Sequence, residues 1–150
     1  MGMDFNVTKM AAVIYVQRDG GKAWHAVDEV KNGYDTPEMV TILTERYKNS
    51  KIVVYPDASG KNRKTVGASI SDTSMLSGAG FDVRAHAANP MVKDRVLAVN
   101  SAFHRGVLKI NPRLCPETDE CLQQQVYDDN GQPDKKGGKD HQNDAAGYPI

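Results

Sequence analysis

The sequence has few cysteines and no long hydrophobic run. Its 150 residues include two cysteines, Cys115 and Cys121, whose C-x5-C spacing fits neither a zinc knuckle nor a redox pair, so we expect reduced thiols. No apolar run approaches the roughly 20 residues of a membrane span, and no secretory signal is visible. These absences argue against a disulfide-stapled secreted protein and a membrane protein. They predict a cytoplasmic protein with no membrane partner.

An excess of positive charge, a common sign of nucleic-acid binding, is also missing. Lys and Arg together number 19, as do Asp and Glu, so the net charge is zero. This balance weakens the case for a nucleic-acid partner without removing it, because an acidic metal site would offset basic surface elsewhere. The length and the 39% apolar content fit one globular domain with a core of its own.

Hydrophobic patterning predicts an α/β domain. Apolar runs at 3–7, 11–17 and 23–30, joined by short turns, indicate an antiparallel meander of three strands. A helix, a fourth strand at 51–55 and a fifth short strand at 81–86 among further helices complete the order, and 107–110 is expected to be only briefly extended. A strand that begins with no lead-in predicts a domain excised from a longer chain.

Three acids stand at the edges of these elements, far apart in sequence. Asp4 lies inside the first apolar run, Asp57 follows the fourth strand, and Asp144 lies in a C-terminal helix. A carboxylate in a strand is costly to bury unless a cation meets it, and hard cations such as Mg²⁺ prefer carboxylate oxygens. The pattern favours a single divalent-metal site, formed by all three acids together, for phosphodiester cleavage. The alternative is three unrelated acids in a turn, on a solvated helix and at the terminus.

The C-terminal helix carries two further candidates. His141 stands three residues before Asp144, on about the same helical face. It could ligate a metal, assist proton transfer, orient a phosphate, or be an exposed histidine at a helix start. Asp140 is expected to be the N-cap of this helix rather than a ligand.

Two basic clusters flank two of the proposed acids. Basic side chains bind phosphates without reading sequence, so both clusters are candidate DNA contacts, with solvated loop charge as the alternative. A further arginine on the helix at 90–105 is a weaker candidate. The candidate DNA-binding residues are Lys61, Arg63 and Lys64 after Asp57, Lys135, Lys136 and Lys139 before His141, and Arg95.

The element order and the positions of the three acids match the ribonuclease H-like fold, which predicts a central mixed five-stranded sheet, an antiparallel meander plus parallel strands, flanked by helices. The chain resembles the C-terminal nuclease domain of the large terminase subunit of tailed double-stranded DNA bacteriophages. The resemblance covers almost the whole chain. It is carried by 2–7, 55–60, Asn89-Pro90, Asp94-Arg95-Val96 and the ending D-H-x-x-D-A-x-G-Y at 140–148.

The resemblance implies a nuclease in which Asp4, Asp57 and Asp144 hold Mg²⁺ or Mn²⁺, two ions in all, with His141 at the rim. It implies that the domain, a monomer in isolation, cuts concatemeric viral double-stranded DNA in the host cytoplasm at the start and end of packaging. By resemblance the partners are the packaging ATPase domain, the small terminase subunit and the portal. The ATPase is absent from this sequence, which has no G-x-x-x-x-G-K-[ST] phosphate cradle.

Two other functions are open at this point. One is another ribonuclease H-like nuclease, such as a junction resolvase or an RNA:DNA hybrid nuclease. The other is a non-catalytic DNA-docking module with a decayed site, which the presence of all three acids makes the weaker alternative.

Overall fold

The computed structural model describes residues 1–61 and 71–150, which form a six-stranded mixed sheet between two layers of helices. The strands are β1 (Gly2–Asp4), β2 (Met10–Arg18), β3 (Ala23–Gly33), β4 (Val53–Pro56), β5 (Asp82–Val83) and β6 (Leu108–Ile110). The helices are α1 (Thr36–Arg46), α2 (Asp72–Gly78), α3 (Val92–His104), α4 (Pro116–Gln124) and α5 (Asp140–Gly147). Within the described ranges, no helix has the length and apolar character needed to cross a membrane.

The strand order in the sheet is β5-β4-β1-β2-β3-β6. Strands β1, β2 and β3 pair antiparallel, as expected for neighbours joined by short turns. The outer pairs are parallel: β4 with β1, β5 with β4, and β6 with β3. The predicted architecture, an antiparallel meander continued by parallel strands and flanked by helices, is confirmed.

The predicted number of five strands is wrong, because β6 is a sixth. It pairs with the start of β3, with Trp24 opposite Leu108 and Ala26 opposite Ile110. Three residues are too few to show a strand alternation in sequence, and the pairing partner lies more than 80 residues away. From the sequence alone, residues 107–110 were therefore predicted to be only a short extended connection.

The two faces of the sheet are covered by different helices, because side chains alternate along each strand. On β2, Met10, Ala12 and Ile14 pack towards α1 and α2, whereas Ala11 and Val13 pack towards α5. The α5 side is lined by small residues, which lets this helix lie close to the sheet. Each side thus has its own apolar core.

Gly2 determines how close α5 comes to β1. A Cβ atom at this position would lie 1.9 Å from the backbone oxygen of Ala145. No side chain fits in that space, so only glycine permits the observed approach of helix and strand. The approach matters for function because α5 carries the C-terminal candidate residues and β1 carries Asp4.

Glu29 on β3 fixes the two C-terminal helices to the sheet. Its carboxylate accepts hydrogen bonds from the backbone N–H groups of Glu117 and Thr118, both at 2.8 Å, and from the Thr118 hydroxyl at 2.7 Å. It therefore satisfies the N-terminus of α4 from outside the helix. Gln142 on α5 donates to the Thr118 hydroxyl at 2.8 Å, which extends the network to the helix of the candidate site.

We expect Glu29→Ala to lower the melting temperature by roughly 4–8 °C. The substitution removes charge-assisted hydrogen bonds to a helix N-terminus, which corresponds to about 2 kcal/mol for a domain of this length. Lys31→Met, which breaks only the exposed Lys31–Glu117 ion pair, is the matched control and should melt like the wild type. Equal melting temperatures of the two variants would contradict the anchoring role of Glu29.

Candidate functional site

Two of the predicted acids lie side by side because their strands are parallel neighbours. In the pairing of β1 with β4, Met3 is opposite Pro56, and the backbone N–H of Asp57 donates to the Met3 oxygen at 2.9 Å. The next residue of β1 is Asp4, so both carboxylates emerge at the carboxyl ends of the strands. This edge is the usual position of binding residues in sheets with parallel neighbours.

The close approach of α5 to β1 brings the C-terminal residues to the same edge. Asp4, Asp57, His141 and Asp144, the four predicted catalytic residues, all line one cavity of about 400 Å³. Further residues of its wall are Phe5, Asn6, Asn89, Pro90, Val92, Arg95, Lys135, Asp140 and Tyr148. The cavity therefore brings together side chains from both ends of the sequence.

Asp4 is the most perturbed acid of the cavity. It is only 6% exposed, and burial together with the charge of Asp144 raises the pKa of Asp4 from 3.8 to about 6. His141 opposes this rise in pKa, since its Nδ1 lies 3.1 Å from Asp4 Oδ2. The amide nitrogen of Asn6 lies 2.7 Å from His141 Nε2. With Asn6 donating to Nε2, the neutral ring carries its proton on Nδ1 and donates it to Asp4.

Asp57 is held by the loop that follows it and by Asn89. Its two carboxylate oxygens accept from the Ser59 backbone N–H at 2.8 Å and the Ser59 hydroxyl at 2.7 Å. The amide group of Asn89 donates to Asp57 and also accepts from the Ala58 backbone N–H at 2.8 Å. These bonds fix the orientation of the carboxylate.

Asp144 is paired with Arg95, which corrects the expectation that Arg95 contacts DNA. Arg95 is 7% exposed, and its Nη2 donates to Asp144 Oδ1 at 2.5 Å. Its guanidinium lies 4.9 Å from the ring centre of Tyr148. Burial raises the pKa of Asp144, and the charge of Arg95 lowers it in part. A buried, paired guanidinium is not available to DNA phosphates.

Asp140 is not the N-cap that the sequence predicted. The N-cap of α5 is Lys139, which makes no side-chain capping bond, and Asp140 is the first helical residue. Asp140 is 6% exposed, and its Oδ1 has no hydrogen-bond partner among the described residues. This oxygen is 3.9 Å from His141 Nε2. Asp140 is therefore a fourth carboxylate of the cavity, with a buried oxygen free to accept a ligand.

The oxygen-rich wall of the cavity fits a hard divalent cation. Carboxylate oxygens are the protein ligands that Mg²⁺ and Mn²⁺ prefer, and the buried Asp140 oxygen lacks a partner among the described residues. As they stand, however, no three acidic, histidine or cysteine side chains in the described ranges lie close enough together to hold an ion. The four acids share a cavity, but Asp4, Asp57 and Asp144 each contact a different polar neighbour.

The predicted basic clusters are only partly described. Lys135 lines the cavity, and Lys136 next to it is exposed. Lys139 pairs with Glu120 at 3.3 Å. Arg63 and Lys64 lie outside the described residues, and so does the side chain of Lys61.

The polar residues that surround the acids were not identified from the sequence, although the sequence contains a signal for two of them, Arg95 and Asn6. Arg95 lies three residues after Val92 and four before Val99, so the spacing of the α3 apolar stripe already pointed it inwards. Asn6 follows Asp4 by two residues, the spacing of side chains on one face of a strand. Nothing local connects Asn89 with Asp57, because their contact depends on the fold.

A family model described as the terminase RNaseH-like domain matches residues 1–150. The chain belongs to this family. The resemblance to terminase nuclease domains that the sequence motifs indicated is thereby confirmed over residues 1–150. No curated protein sequence matches it at a significant level.

Solved structures of phage terminases share the fold of this terminase domain. The large terminase (g2p) nuclease domain from bacteriophage SPP1 with bound Mn has 18% identity and a TM-score of 0.67, covering 98% of this chain and 81% of that one. The P22 large terminase nuclease domain has 17% identity and a TM-score of 0.72, covering 97% and 76%. The large terminase from a thermophilic bacteriophage has 18% identity and a TM-score of 0.74, covering 98% of this chain and 38% of that one.

The raised pKa of Asp4 predicts that Asp4→Asn stabilises the chain in chelator at neutral pH. The fold favours the protonated form of Asp4. The wild-type chain therefore has the full stabilising contribution of protonated Asp4 below about pH 4, and it loses that contribution as the pH rises through about 6. The shift corresponds to about 3 kcal/mol at pH 7.5, or a melting temperature roughly 6–12 °C higher for the asparagine variant. Melting curves at pH 7.5 and pH 5 measure the difference, which should shrink at the lower pH.

The control for this prediction is Asp129→Asn, at an exposed loop position. It removes the same charge from the surface and should leave the melting temperature unchanged at both values of pH. A lower melting temperature of Asp4→Asn at pH 7.5 would mean that the Asp4 carboxylate is stabilised rather than penalised by its surroundings.

Proposed function

We propose that the chain is the nuclease domain of a large terminase subunit and cuts concatemeric viral double-stranded DNA during genome packaging in the host cytoplasm. The observation that supports this most is the shared cavity of Asp4, Asp57, Asp144 and His141 at the carboxyl ends of β1 and β4. Membership of the terminase RNaseH-like family supports the substrate class. The packaging ATPase domain, the small terminase subunit and the portal would be its partners.

The carboxylates of Asp4, Asp57 and Asp144 would hold Mg²⁺ or Mn²⁺, two ions in the full site, with Asp140 beside them. Such ions, when bound, supply a reactive water and stabilise the leaving oxygen of a phosphodiester. The chain itself orients the acids: Asn89 and Ser59 hold Asp57, and His141 holds Asp4. His141 can exchange a proton at Nδ1 with Asp4 while Asn6 contacts Nε2.

Lys135 and Lys136 would bring the DNA backbone to the cavity. Lys135 lines the cavity wall and both side chains are exposed, so phosphates can reach them without rearrangement. Lys61, Arg63 and Lys64, which follow Asp57 closely in the sequence, are proposed as further phosphate contacts. These contacts are electrostatic and carry no sequence information, which fits a nuclease with little intrinsic sequence preference.

Replacement of any one of Asp4, Asp57 and Asp144 by Asn is expected to abolish nicking of supercoiled plasmid in Mn²⁺. The loss should be at least about 100-fold. Double variants should be no worse than single ones, since residues that act as a unit are not additive. The readout is conversion of supercoiled to open-circular plasmid, with Asp129→Asn as a surface control that keeps wild-type activity. Near wild-type cleavage by Asp57→Asn would refute the site assignment.

The same assay separates the proposed substrate from its alternatives. A packaging nuclease should cut linear duplex DNA and plasmid more readily than a four-way junction or an RNA:DNA hybrid. Preference for the junction or the hybrid would favour another ribonuclease H-like activity. DNA binding without cleavage in either Mg²⁺ or Mn²⁺ would favour a docking module.

The triple change of Lys61, Arg63 and Lys64 to Ala is expected to weaken DNA binding equally for unrelated sequences. Each lost phosphate contact should reduce the slope of log affinity against log salt by about one. Binding is measured in Ca²⁺ over a series of salt concentrations. Lys22, Lys48 and Lys51, three exposed lysines at other positions, provide a charge-matched triple control. If the Lys61, Arg63 and Lys64 triple variant keeps the wild-type slope, these residues are solvated loop charges and do not contact DNA.

A further inference from the structure

Arg95 is built into the wall of the candidate site as a permanent positive charge. Its Nη2 donates to Asp144 Oδ1 at 2.5 Å, and the residue is only 7% exposed. Burial of a guanidinium is costly unless it is paired, so its position implies a strong requirement for this contact. The residue also lines both the 400 Å³ cavity and the neighbouring groove between α3 and α5.

Residues at the end of α5 pack around the Arg95 side chain and hold it next to Asp144. Gly147 leaves room for the arginine stem, since a Cβ atom at that position would lie 3.0 Å from both Cγ and Cδ of Arg95. The ring of Tyr148 lies 4.9 Å from the guanidinium and provides a cation–π contact. Asp144, Gly147 and Tyr148 are neighbouring positions on one side of the helical turn that ends α5, so a single face receives the whole side chain.

The charge of Arg95 acts on the same carboxylates that a divalent cation would need. Asp4, Asp57, Asp140 and Asp144 line one cavity, and their mutual repulsion disfavours the folded chain. One fixed positive charge among them relieves part of that repulsion. The same charge opposes any second cation nearby, since like charges repel strongly where water is excluded.

Resting on the proposed function, we infer that Arg95 is the resident counter-ion of the acid cluster: it stabilises the metal-free fold and competes with the divalent cation for Asp144. The nuclease therefore binds its metal less tightly than its carboxylates alone would allow. Metal affinity, and with it activity at limiting metal concentration, is set by how firmly Arg95 holds Asp144.

The test compares Arg95→Met with Arg95→Lys, and with Arg105→Met as a control on the exposed residue that follows the same helix. Methionine keeps the apolar stem and removes the charge, whereas lysine keeps the charge. We expect Arg95→Met to bind Mn²⁺ roughly tenfold more tightly by calorimetry, a change that reflects lost cation–cation repulsion. In chelator it should melt several degrees lower, because Asp144 loses its partner. Arg95→Lys and Arg105→Met should stay close to the wild type in Mn²⁺ affinity.

The Asp144→Asn background supplies the decisive comparison. There Arg95 has lost its carboxylate, so Arg95→Met should be neutral or stabilising in chelator, the reverse of its effect on the wild type. Mn²⁺ binding that is unchanged or weaker in Arg95→Met than in the wild type overturns the counter-ion inference and leaves a purely orienting or structural arginine. Absence of Mn²⁺ binding in both the wild type and Arg95→Met overturns the proposed function instead.

Discussion

Repulsion among carboxylates that share one cavity is the constraint on which this structure depends. Four aspartates line one cavity, and Asp4 is disfavoured as an anion by its burial and by the charges of Asp144 and Asp57. Three of them have a polar partner: His141 for Asp4, Asn89 for Asp57 and Arg95 for Asp144. These partners come from α5, from the segment before α3 and from α3 itself. The helices on this side of the sheet therefore provide both apolar cover and electrostatic compensation.

The backbone supplies the proximity that the chemistry requires. Parallel pairing of β1 with β4 sets Asp4 beside Asp57, and Gly2 allows α5 to lie directly against β1. Glu29 then fixes α4 and α5 to the meander through Thr118 and Gln142. Gly2 and the Glu29 network lie outside the cavity, yet both hold α5, and with it Asp144, in its position next to β1.

The acids could be predicted from the sequence because strand ends and a helical i, i+3 spacing are local patterns. Asp4, Asp57, His141 and Asp144 indeed share one cavity. Their partners could not be predicted in the same way, since Asn89 and Asp57 meet only once the strands and helices between them have been arranged. Arg95 was taken as a candidate DNA contact rather than as a partner of Asp144 because charged side chains are seldom buried. The sixth strand was missed because three residues carry no readable alternation, and Asp140 because an acid at a helix start usually caps it.

The contact between Asp4 and His141 joins residues 137 positions apart. During synthesis, Asp4 leaves the ribosome long before α5 exists, and nearly the whole domain must be made before the cavity can close. A chain that is incomplete or truncated before α5 lacks His141, Asp144 and the Arg95–Asp144 pair at once. The topology thus makes the assembled site depend on completion of the chain, because no fragment that lacks α5 contains all four of the acids that line the cavity.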